Sequence, residues 1–114
     1  MPLIDVTYHH SVPESDLRRL ADLLPDVVAQ AVECPEEPWT GAAEVGDIEI
    51  RFRPKSEYDV GGLRVVIEVR TRRLEARVLD QQRRADLIRD RLFGEVSGPI
   101  GIWLMLIDGA WSQA

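Results

Sequence analysis

The sequence predicts an α+β fold in which two successive β-α-β units share a four-stranded sheet, with two helices on one face. Three observations predict it. Four short segments are either apolar or alternate with a period of two. Two longer segments repeat apolar residues at helical spacing. Their order is strand, helix, strand, then strand, helix, strand. The halves match in layout and not in residue identity. The 114 residues read as one domain over 1–114.

Residues 3–9, LIDVTYH, alternate, with Ile4, Val6 and Tyr8 on one face and Asp5, Thr7 and His9 on the other. The strand starts directly after Pro2. Pro13 and the acidic turn Glu14–Ser15–Asp16 then signal a helix start. Leu17, Leu20, Ala21, Leu24, Val28, Ala31 and Val32 make residues 13–33 an amphipathic helix, which Pro25 should kink or split. Residues 34–46 carry two prolines and two glycines and read as a loop.

Residues 47–53, DIEIRFR, alternate again, and Pro54 ends that strand. Residues 63–70, LRVVIEVR, form a third strand. Residues 73–93 form a second helix with the stripe Leu74, Val78, Ala85, Ile88, Leu92 and Phe93, and Gly94 suits its C-terminal end. Residues 100–107, IGIWLMLI, are apolar on both faces and read as a buried strand, with Trp103 in the core. The helix-free face of the sheet carries Glu and Arg from three strands, suited to solvent or to an assembly interior with cross-strand pairs.

The formal net charge of −6 argues against a nucleic-acid or anionic-membrane partner. Within that acidic chain Arg51, Arg53, Arg64, Arg70, Arg72 and Arg73 cluster, which suits a small anionic ligand. Cys34 is the single cysteine, so no intrachain disulfide forms and a cytoplasmic location is expected. No run approaches the roughly 18 apolar residues of a membrane span, and no signal peptide is evident. His9 and His10, adjacent on a strand, point to opposite faces, so no metal site is expected. No dinucleotide fingerprint, P-loop or serine-hydrolase elbow occurs, and no cofactor is expected. Tyr8, Trp39, Trp103 and Trp111 are candidate pocket walls, Trp103 being the one that reads better as core.

A Met-Pro start leading into a strand, followed by two β-α-β units, resembles the tautomerase superfamily. Val69-Arg70-Thr71-Arg72-Arg73, Phe52-Arg53-Pro54 and Trp111-Ser112 look similar to its malonate semialdehyde decarboxylase and cis-3-chloroacrylic acid dehalogenase branch. The resemblance implies a homotrimer with active sites near subunit boundaries. It also implies that Pro2, freed as the N-terminus by removal of Met1, works as acid or base, and that arginines bind a substrate carboxylate.

A free N-terminal proline is a secondary amine, whereas an internal proline is an amide. Desolvation and nearby cations favour the neutral amine. The neutral amine is a base suited to tautomerisation, the protonated one an acid suited to hydration, and iminium formation with an aldehyde suits decarboxylation. Arg70, with Arg72 or Arg73, is the proposed carboxylate clamp at a helix start. The resemblance also points to an acidic partner after the first helix, Glu37, with Asp47 as competitor. Tyr8 and Trp111 complete the predicted site. The alternatives are a catalytically inactive oligomeric binding or regulatory protein of the same fold, which the Arg72-Arg73-Leu74 junction favours, and a ferredoxin-like small-ligand sensor.

Overall fold

The computed structural model describes residues 2–41 and 47–114. In chain order the elements are β1 (Leu3–Tyr8), α1 (Glu14–Val32), β2 (Glu49–Pro54), β3 (Val65–Arg72), α2 (Glu75–Leu79), α3 (Gln81–Leu92) and β4 (Ile100–Ile107). The strands form a single sheet in the order β2-β1-β3-β4. β1 and β2 are parallel, as are β3 and β4, because each pair is joined by a helical crossover. The two units meet where β1 pairs antiparallel with β3.

The period-two pattern sorts the sheet faces as expected. Ile4, Val6, Val65, Ile67, Val69 and Thr71 are buried under the helices, with Leu20, Leu24, Val28, Ile88 and Leu92 packed above them. Tyr8 packs against this core. The other face carries Asp5, Glu68, Arg70 and Arg72, with Arg51 and Arg53 from β2. The α+β class with helices on one face of a four-stranded sheet is therefore correct.

Five details differ from expectation. Pro25 does not split α1. The carbonyl it cannot bond belongs to Ala21, which lies on the exposed side and is open to water. β3 runs two residues further than expected, because Thr71 is buried beneath the helices and Arg72 still pairs with Ile107 of β4. The second helix is two helices, broken at Asp80, whose backbone is non-helical (φ −134°, ψ 34°). The Asp80 carboxylate instead binds the Arg83 and Arg84 guanidinium groups at 2.5 Å each. As a result Val78 and Phe93 are exposed, and Gly94 follows α3 with φ +84°, a conformation glycine adopts without strain.

β4 is an edge strand, and Trp103 is 66% exposed on the open sheet face, not in the core. The histidines lie beyond the end of β1, where the chain turns. Their rings stack at 4.1 Å instead of facing opposite ways. Among the described residues no helix is long and apolar enough to cross a membrane.

Candidate functional site

The candidate site is the end of the sheet where β1 begins. Pro2 is buried, and its carbonyl accepts the Glu49 N–H at 3.3 Å. The antiparallel register sets Leu3 opposite Arg70. The residues that follow Arg70 therefore run alongside the start of the chain. Here a cleft of ≈450 Å³ is lined by Leu3, Glu37, Arg72, Ile107 and Trp111, with the 109–110 turn of the C-terminal tail. Three predicted site residues thus share one cleft: Glu37 from the loop after α1, Arg72 from the end of β3, and Trp111 from the tail. Its wall is mainly apolar, with one guanidinium and one carboxylate, which suits a carboxylate with an apolar tail.

Other predicted residues stand elsewhere. Arg70 projects from the open sheet face, where it donates to Asp5 at 2.8 Å and to Glu68 at 2.9 Å. Arg53 reaches the same Asp5 at 3.3 Å. Arg73 is exposed, and its backbone N–H bonds the Ile107 carbonyl. Arg72, expected at a helix start, instead ends β3, since α2 begins only at Glu75 and has five residues. Tyr8 lies at the other end of β1 from Pro2, about 20 Å away at 3.3 Å per residue, and faces the core. Asp47 is exposed in the turn before β2 and does not line the cleft.

Arg77 does not stand out in the sequence. It is 1% exposed and donates to three groups: the Val32 carbonyl at 2.8 Å, the Arg72 carbonyl at 3.0 Å and the Glu37 carboxylate at 3.1 Å. Arg84, also buried, donates to the Ala31 and Glu33 carbonyls at 3.0 and 2.6 Å. The last turn of α1 has no basic residue of its own. The second β-α-β unit thus supplies both the donors and the positive charge that the C-terminus of α1 needs. The available signal was positional: Arg84, Ile88 and Leu92 recur every four residues on the buried stripe of α3.

A second hollow of ≈500 Å³ sits beside this helix end, lined in part by Cys34, Arg83 and Arg84. Its buried cation, Arg84, is already committed to protein acceptors. At the far end of the sheet, His9 Nδ1 lies 2.6 Å from the Ser11 hydroxyl. Partial burial, then the positive charges of His10, Arg64 and Lys55, hold its pKa below the ordinary value. Among the described residues no group of three or more His, Cys, Asp or Glu is gathered as metal ligands would be.

No family model matches the chain, and no curated protein matches it. Solved structures do. The crystal structure of Leishmania major MIF2 aligns with a TM-score of 0.61 at 12% identity, over 97% of this chain and 93% of that one. This chain has that fold. A fused 4-OT wild-type symmetric trimer aligns with a TM-score of 0.62 at 12% identity, over 92% of this chain and 85% of that one. At this identity the likeness is one of architecture.

Proposed function

We propose that the chain is a single-domain, cofactor-independent enzyme of the tautomerase superfamily, moving a proton on a small oxo carboxylate through the Pro2 amine. The observation that carries this reading is the shared cleft. Glu37, Arg72 and Trp111, chosen from sequence, come together beside Leu3, the residue next to Pro2. The fold likeness to MIF2 and to a 4-OT trimer agrees with it.

In this reading Arg72 binds the substrate carboxylate through its planar fork. Trp111, Leu3 and Ile107 cover the substrate's apolar part. The amine of Pro2 takes a proton from the carbon beside the carbonyl and delivers it to the oxygen of the enolate so formed, giving the enol; the reverse transfer restores the ketone. Glu37, fixed by Arg77, accepts a hydrogen bond from the enol hydroxyl. Hydration or decarboxylation of a related acid would use the same groups.

Three copies would assemble through the open sheet faces. Trp103 and Met105 of β4 lie there beside the Asp5–Arg70–Glu68 pairs, and Trp103 is an exposed apolar surface in need of cover. Arg70 already bridges two carboxylates and offers no open fork to a substrate, which favours the second reading, a catalytically inactive oligomeric protein of the same fold.

The test uses phenylpyruvate as probe. Wild type should interconvert its keto and enol forms, and Pro2→Ala should lose most of that rate while keeping its circular dichroism and solution mass. A fully active Pro2→Ala variant sinks the proposal.

A further inference from the structure

We propose that Arg77 is a positioning residue that sets the Glu37 carboxylate against Arg72 across the cleft. The inference rests on the reading of that cleft as the site, and extends it to a residue that does not line it. A guanidinium with almost no exposure needs partners for its charge and its donors. Arg77 finds them on three separate chain segments. Its Nε donates to the Val32 carbonyl at the end of α1, Nη1 to the Arg72 carbonyl at the end of β3, and Nη2 to Glu37 in the loop that follows α1. Two of those three segments contribute side chains to the cleft.

A planar fork fixes direction as well as distance. The Arg77 side chain therefore ties the loop that carries Glu37 and the strand end that carries Arg72 to one rigid reference, the C-terminus of α1. Lysine, with a single tetrahedral ammonium, cannot reproduce all three directions. A misplacement of 1 Å in such a site costs about 100-fold in rate.

Two measurements on the full chain test this. In the first, Arg77→Met and Arg77→Lys are assayed for phenylpyruvate tautomerisation beside wild type. Folded Arg77→Met should lose about 100-fold in kcat/KM, with Arg77→Lys recovering only part of it. A role in stability alone would lower the folded fraction and leave kcat and KM of the folded protein unchanged, which would overturn the proposal. In the second, which needs no activity, Glu37→Gln is followed by NMR. Glu37 is one-third exposed and Gln keeps an acceptor oxygen for Arg77, so this variant should fold. It should shift the Arg77 Nε–H signal and also the Arg73 amide, whose peptide carbonyl is that of Arg72. The Arg73 shift should vanish in an Arg77→Met background.

If Arg77→Met does not fold, the Glu37→Gln spectrum decides alone, and an unmoved Arg73 amide overturns the proposal. Coupled shifts without any turnover by wild type would support the positioning role and sink the proton-transfer reading. Turnover with uncoupled shifts would do the reverse.

Discussion

Arg70→Met tests the open sheet face most sharply. Arg70 bridges Asp5 and Glu68, which the β1–β3 register sets directly opposite each other. Its side chain is 34% exposed, and those of Asp5 and Glu68 are 17% and 32% exposed. A charge-assisted hydrogen bond contributes about 1.5–3 kcal/mol when well shielded, and partial exposure reduces that towards about 1 kcal/mol each. Removing the guanidinium also leaves two carboxylates facing across the strands, worth up to about 1 kcal/mol of repulsion. The remaining Arg53–Asp5 pair at 3.3 Å offsets part of this. The expected loss is about 2 kcal/mol. With a urea slope of about 1–3 kcal/mol/M, the unfolding midpoint should fall by about 1 M. Protein concentration must be held fixed, because assembly adds to apparent stability. Adding Glu68→Gln should restore part of the loss, with a coupling of about 1 kcal/mol. An Arg70→Met chain within 0.5 kcal/mol of wild type, or a purely additive double variant, would refute the reasoning.

Three further outcomes follow from single side chains. Thr71 is fully buried and its hydroxyl has no partner among the described residues. Thr71→Val should therefore stabilise the fold by about 1 kcal/mol, and a lower urea midpoint would show that the hydroxyl is bonded. Asp80 is held below its ordinary pKa of 3.8 by hydrogen bonds from Arg84 and then Arg83. The unfolded chain takes up that proton first, so Asp80 stabilises the fold above about pH 4 and the gain is lost as pH falls through the depressed folded value. Asp80→Asn should then cost about 1–2 kcal/mol at neutral pH and progressively less as the pH falls below about 4; a gap independent of pH contradicts this. Arg72→Met should raise KM for phenylpyruvate about 10- to 100-fold with little change in urea midpoint, and an unchanged KM removes Arg72 from the clamp.

Local signals made most of the fold legible. Alternation in Ile4–Val6 and Val65–Val69 and the helical stripe of α1 each concern one element against one core, and that is what periodicity encodes. What was missed depends on partners distant in sequence. Thr71 and Arg72 read as the approach to a helix, yet they extend β3 because β4 pairs with them. The break at Asp80 accompanies an Arg84 guanidinium that reaches the Ala31 and Glu33 carbonyls, more than fifty residues earlier. Trp103 lies in an apolar run but on an edge strand, and only the strand order shows that its face is open. Of the residues that line the cleft, Glu37, Arg72 and Trp111 carry a type and position that single them out in the sequence. Arg77 does not stand out there, because its acceptors lie as far as 45 residues away. The strand pattern puts Tyr8 on β1, at the end remote from Pro2.

The central claim is that a free Pro2 amine moves the proton. The most direct test compares two preparations of the same chain, one with Met1 removed and one with Met1 retained, verified by intact mass. Both should have the same oligomeric state and circular dichroism. Only the chain beginning at Pro2 should tautomerise phenylpyruvate, because a retained methionine turns that nitrogen into an amide. Equal rates from the two would contradict the account.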